Sequence, residues 1–129
     1  MDNFEQFDKE VQKFSRSIPD EHLVELHTRM HFEALNGIIY RTPVDTGRAR
    51  GNWQTTIGSP AEDEVDGVDT DGAATVERGM SALAGLGPFT VSYIANNLAY
   101  ILPLEEGHSS QHPAGMVAVT VEEMKAMFP

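Results

Sequence analysis

Apolar residues recur at helical spacing through the first third of the chain and then give way to short alternating runs. Phe4, Phe7, Val11, Phe14 and Ile18 are separated by Asp8, Lys9, Gln12 and Lys13, so residues 3–17 are predicted to form an amphipathic helix. Pro19-Asp20 interrupts that pattern and starts another, with the proline at the first helical position or the aspartate at the N-cap. Leu23, Leu26, Met30, Ala34 and Ile38 then fall on one stripe, flanked by Val24, His31, Leu35 and Ile39. The spacing predicts a helix over 20–41, about 33 Å long at the usual rise. A helix of that length shows more apolar side than a small sheet covers, which reads either as ordinary core packing or as a surface for a partner.

The stretch Arg41 to Trp53, RTPVDTGRARGNW, marks the change of pattern. Pro43 lacks an N–H and disfavours a helical predecessor, so the long helix should stop at about Arg41. Asp45-Thr46-Gly47 has the chemistry of a tight turn, and Asp45 can pair with Arg48 or Arg50 across it. On an extended segment Arg48 and Arg50, two apart, face the same side. They read either as a surface ion pair or as a contact with a neighbouring subunit, where a bidentate guanidinium is better used.

Beyond the turn, residues 52–58 read as a strand closed by Ser59-Pro60. Residues 61–72, AEDEVDGVDTDG, carry six acids in twelve positions and are expected to be a mobile loop within a single domain spanning 1–129. Ala73 to Ala84 predicts a short helix with Val76, Met80 and Leu83 on one side, closed by Gly85 and Gly87. Phe89 to Ala95 has strand composition, with Phe89, Val91 and Tyr93 on one face and Thr90, Ser92 and Ile94 on the other. Asn97 is expected to cap a helical turn from Leu98 to Leu102 that Pro103 interrupts. Ala114 to Phe128 places Val117, Val121, Met124 and Phe128 at helical spacing, although Met116 to Val121 also alternates like a strand. The fold class is α+β, with long N-terminal helices packed on a small antiparallel sheet and a C-terminal helix.

Charge narrows the function. Twenty acids against nine Lys plus Arg give a formal net charge of −11, which opposes any mode of DNA binding that needs broad phosphate neutralisation. An acidic surface does suit a conduit that DNA passes without sticking. There is no cysteine, hence no disulfide framework and no thiolate nucleophile or ligand. The amino terminus has neither the basic nor the apolar region of a cleaved signal, and no apolar run approaches a membrane span.

Catalytic patterns fail on spacing. His27 and His31 lie four apart, as do His108 and His112, but neither pair has the glutamate of HExxH. In the acidic run, Asp69, Asp71 and Gly72 fit calcium-loop positions 3, 5 and 6 only if Gly67 and Arg78 take the positions that need acids. Glu105-Glu106 reads as a solvated helix end. No nucleotide-binding loop or nucleophile elbow occurs, so the expectation is a protein that is not an enzyme and holds no metal or cofactor.

Two clusters together, TPVDTGRARGNW at 42–53 and NNLAYILPLEEGHSSQHPAGMV at 96–117, resemble the tail-completion or neck proteins of tailed bacteriophages, the group that includes lambda-type minor tail protein Z. The resemblance runs from about Phe32 to Lys125, and Ala99 stands where that family often carries proline. It implies an α+β subunit assembled as a ring, with a hexamer favoured, at the head–tail junction of a virion made in the host cytoplasm. The implied partners are the tail tube or terminator, the head connector and passing double-stranded DNA. Within that frame Pro43, Asp45, Arg48, Arg50, Trp53 and Glu105 are candidate subunit contacts. Glu62, Asp63, Glu64, Asp66 and Glu106 are candidates for the channel wall. Six copies at −11 each carry −66, so acids facing a central channel repel DNA phosphates within a Debye length of roughly 8 Å. The alternatives are a free acidic protein that imitates DNA and a metal-assisted hydrolase built on His108, His112 and Glu105.

Overall fold

A computed structural model describes residues 3, 5–10, 19–107 and 115–128. Helix α1 (Asp20–Arg41) is followed by a single helical turn α2 (Arg48–Gly51), strand β1 (Gln54–Ile57), helix α3 (Ala73–Ala82), a 3-10 turn (Leu83–Gly85), strand β2 (Ser92–Ala95), helix α4 (Ile101–Glu105) and helix α5 (Val117–Met127). The fold is α+β, as the sequence predicts: helices packed on a two-stranded antiparallel sheet. Residues 3 and 5–10 are helical and exposed, while 11–17 of the predicted first helix lie outside the described residues.

The bounds of α1 match the predicted 20–41. Pro19 is its N-cap, and its carbonyl accepts the amide N–H groups of His22 and Leu23. Asp20 and Glu21 place negative charge in the first turn, where the helix dipole favours it, and Arg41 places positive charge in the last. Only the second half of α1 enters the core. No residue from Asp20 to Met30 is buried, whereas His31, Leu35, Ile38 and Ile39 are.

Those residues meet Trp53 and Met116 in one apolar cluster, flanked by Val76, Met80, Ile94, Ile101, Leu104 and Val117. In the sheet, Thr55 pairs with Ile94 and Ile57 with Ser92, so these four share the face that α1 and α3 cover. Phe89 and Val91, just before β2, are exposed.

Several local expectations are corrected. Residues 48–51 form a helical turn rather than extended chain, because Gly47 at φ 90° lets Gly51 N–H close back on the Gly47 carbonyl. Arg48 and Arg50 therefore diverge instead of sharing a side. The strands are shorter than predicted: β1 begins only after Asn52 has ended the turn on the Ala49 carbonyl, and Phe89 at φ 61° keeps the chain before β2 out of the sheet. Pro103 lies inside α4, in its first turn, where a missing N–H costs nothing. The expected C-terminal helix does form, over Val117–Met127, its N-terminal amides having found a carboxylate acceptor.

Gly79 sets how closely α1, α3 and β1 approach. A Cβ there would lie 2.5 Å from Leu35 Cδ2 and 2.9 Å from Thr55 Oγ1, and Leu35 is fully buried, so its methyl cannot swing aside. Gly to Ala in a helix interior ordinarily stabilises by about 1 kcal/mol. Here overpacking outweighs that gain, and Gly79→Ala should lower the urea midpoint, with a net loss of about 1–3 kcal/mol.

Candidate subunit-contact surface and the turn that shapes it

The turn between α1 and β1 is held by side chains that satisfy the last carbonyls of α1. The Thr42 hydroxyl donates to the Ile38 carbonyl at 2.7 Å and accepts the Trp53 indole N–H at 2.8 Å, using both functions of one oxygen. Arg50 donates from Nε to the Thr42 carbonyl (3.0 Å), from Nη2 to that of Tyr40 (3.2 Å) and from Nη1 to that of Thr70 (2.7 Å). Its guanidinium carbon also sits 5.7 Å from the centre of the Tyr40 ring. Gly47 is required twice over: its φ is positive, and a Cβ would meet the Asp69 backbone at 2.9 Å.

Three of the six subunit-contact candidates are thus engaged inside the subunit. Trp53 is a core residue and Arg50 a bracket for three carbonyls. The Glu105 carboxylate accepts the amide N–H groups of Met116, Val117 and Ala118 at 2.8–2.9 Å, capping α5 from a different element. Asp45 is exposed, Pro43 half-buried, and Arg48 reaches Glu64 at 3.0 Å with both side chains substantially exposed. That exposed pair contributes under about 1 kcal/mol. The expected partnership of Asp45 with an arginine gives way to Glu64 and to backbone carbonyls, because the helical turn aims both guanidinium groups elsewhere.

Among the channel candidates, Glu62, Asp63, Glu64, Asp66 and Glu106 are all exposed. The backbone of 61–72 is nonetheless tethered at several points. Asn97 Nδ2 donates to the carbonyls of Ala61 and Asp63, and Val65 N–H donates to Asn52 Oδ1. Asp69 accepts from Gly72 N–H, Thr75 N–H and the Thr75 hydroxyl, and Asp71 accepts from Ala73 N–H, so the end of the segment caps α3. Partial burial works to raise the pKa of Asp69, but the Thr75 and Gly72 donors outweigh it and hold the carboxyl below its ordinary value.

The histidines on α1 have structural partners. The Ser92 hydroxyl lies 2.8 Å from both His27 Nε2 and His31 Nδ1, and His31 Nε2 lies 2.8 Å from Thr55 Oγ1. One imidazole therefore joins α1 to both strands. Burial lowers the His31 pKa to about 4, with the charge of His27 acting in the same direction. A cavity of about 290 Å³ opens beside this chain of hydroxyls and rings. Among the described residues no group of three His, Asp or Glu side chains is placed to hold a metal ion, and His108 and His112 lie outside them.

Sequence reasoning missed the ties between helices. Arg41 donates to the Thr120 hydroxyl at 2.9 Å and pairs with Glu123, whose carboxyl that hydrogen bond holds below its ordinary pKa. Arg78 donates to the carbonyls of Gly51 and Trp53. Only the position of Arg41 in the last turn of a helix hinted at such a role. The two stretches that carry the family resemblance do meet: Asn96 Nδ2 donates to the Ala49 carbonyl at 3.0 Å, and Trp53 shares its cluster with Ile101, Leu104 and Met116. No family model, curated protein or solved structure gives a significant match to the chain.

Two predictions test this arrangement. His31 titrates near 4 when folded and near 6.5 when unfolded, so the unfolded chain binds more protons between those values. Its contribution is complete above pH 6.5 and is lost as pH falls towards 4, about 3 kcal/mol in all. Denaturation between pH 5 and 6.5, above most carboxyl titration, should show this slope, and His31→Gln should flatten it. Arg50→Lys leaves one ammonium for three separated carbonyls, and should destabilise by about 1–2 kcal/mol in denaturant titration while helical content at low denaturant is retained.

Proposed function

We propose that this protein is a structural subunit of the neck or tail end of a tailed bacteriophage, one copy in a ring that completes the tail and joins it to the head connector around the path of the DNA. The observation that carries this reading is the docking of 42–53 against 96–107 and 116–117, which makes the two resembling stretches one structural unit.

Surface character supports association. Phe89 (75 % exposed), Leu102 (67 %), Val68 (65 %) and Phe7 (63 %) are large apolar side chains that a neighbouring subunit would cover. Glu62, Asp63, Asp66 and Glu106 are exposed, and Glu64, also exposed, pairs with Arg48, which is compatible with an acidic wall. In this reading the acids keep the duplex off the wall, so its passage breaks no ion pairs.

Negative-stain microscopy and native mass measurement of the purified chain test the reading. Closed rings with a central opening, and the chain's presence in a virion that carries it, are the expected results. A monomer that instead binds a basic nucleic-acid enzyme in a salt-sensitive manner would replace this reading with DNA imitation.

A further inference from the structure

The two-stranded sheet has one open edge, and the phase of that edge follows from a single bond. Gly58 N–H donates to the Val91 carbonyl at 2.8 Å, continuing the β1–β2 register by one pair. Backbone groups alternate in direction along an antiparallel strand, so Val91, Tyr93 and Ala95 face β1 while Ser92 and Ile94 turn N–H and C=O outward. Among the described residues no hydrogen bond takes those outward groups, and α3 and the 3-10 turn pack against β1 with no comparable neighbour beyond β2. The edge is also bare of charge. From Gly79 to Leu104 the sequence has no Asp, Glu, Lys or Arg, in a chain of formal net charge −11. Lysine, proline and inward-pointing charge commonly guard the edge strand of a solitary domain, and Ser92–Ala95 carries none of them.

We propose that β2 pairs edge to edge with β2 of a second copy, antiparallel about a twofold axis at Tyr93, so that two subunits share one continuous sheet. The outward groups dictate the register. Ser92 lies opposite Ile94 of the second copy and Ile94 opposite its Ser92, and each pair exchanges both of its N–H···O=C bonds. Tyr93 then faces Tyr93 of the second copy in the non-bonded position between them, where side chains approach most closely, and Val91, 57 % exposed, faces Ala95. A second copy is the occupant for two reasons. Subunits at −11 each repel one another, and a charge-free edge is where they meet with least repulsion, whereas a basic partner gains nothing there and is drawn to the acids elsewhere. The edge is also its own complement, since the same residues supply donors and acceptors on both sides of the axis. Two strands make a marginal sheet, and the pairing doubles it. A twofold contact makes a pair by itself and, beside a ring contact, joins two rings back to back. It therefore goes beyond the function proposed above and needs neither the ring nor the virion.

Hydrogen exchange on the full-length, unaltered chain reads this contact directly. The amides of Ser92 and Ile94 should exchange at least tenfold more slowly in concentrated than in dilute solution, while that of Tyr93, bonded to β1, stays protected in both. Equal exchange at the two concentrations would overturn the proposal, and so would a native mass that stays monomeric at both. A second test uses the absence of cysteine. Tyr93→Cys sets one thiol per copy at the axis, at the separation of opposed non-bonded strand residues, which a disulfide spans. Mild oxidation should link it into covalent pairs at least tenfold faster than Val68→Cys, an exposed position outside the sheet. Equal rates for the two variants would overturn the contact. Rings by microscopy without the Tyr93→Cys cross-link would overturn it and leave the ring standing. Cross-linked pairs that form no ring would uphold the contact and overturn the ring.

Discussion

The last carbonyls of α1 impose the constraint on which the rest of the subunit depends. A helix ends with four C=O groups that have no partner within it, and here that end is packed against the core rather than left in water. Thr42 and Arg50 supply donors from just beyond the helix. In doing so they fix everything the chain builds next. The Thr42 hydroxyl receives the Trp53 indole, which sets the depth of the largest core side chain, and Arg50 holds the Thr70 carbonyl, which brings the end of the acidic segment alongside. Gly47 then accepts Asp69 N–H at 2.9 Å. A helix end, a turn and a distant loop are one hydrogen-bonded unit.

Acidity has a structural use before any functional one. Carboxylates are costly to bury unless several donors meet them, and helix N-termini offer such donors together with a favourable dipole. Glu105 takes three amide donors at the start of α5, Asp69 and Asp71 serve α3, and Asp20 and Glu21 open α1. These acids are therefore part of the fold and are poor candidates for a wall facing DNA. Of the twenty acids, these five sit at helix starts, whereas the four at 62–66 remain on the surface.

What was legible in the sequence were features encoded by spacing or by a single strong residue. The bounds of α1 followed from its stripe and from Thr42-Pro43, and α3 from alanine composition ahead of Gly85. What was not legible depended on partners far away in the chain. Glu105 resembles any surface acid until α5 is brought to it from eleven residues on, and His31 resembles a solvent-facing member of an i, i+4 pair until Thr55 and Ser92 arrive from two strands. The helical turn at 48–51 was missed because Arg-Ala-Arg-Gly has no periodicity of its own, only a glycine before it that permits reversal. Like charge in 61–72 argued for mobility. It did not reveal that Asn52 and Asn97, outside the segment, would supply partners to its backbone.

A two-stranded sheet is marginal by itself, so the stability of this subunit lies in how α1 and α3 close over it. His31 and Leu35, both in the second half of α1, form that closure with Gly79 of α3. The first half contributes no fully buried residue and is tied to the sheet by the His27–Ser92 contact, little support for eleven residues that propensity and charge alone would not hold helical in water. Its order therefore depends on the second half as a template, or on whatever covers Val24 and Phe32. In the latter case the stability of α1 rises with protein concentration, because a partner that binds only the folded form shifts the folding equilibrium by mass action. Folding of the projecting half and assembly of the subunits are then one equilibrium, and a subunit too dilute to assemble should fray from Asp20 inward while its core around Trp53 stays intact.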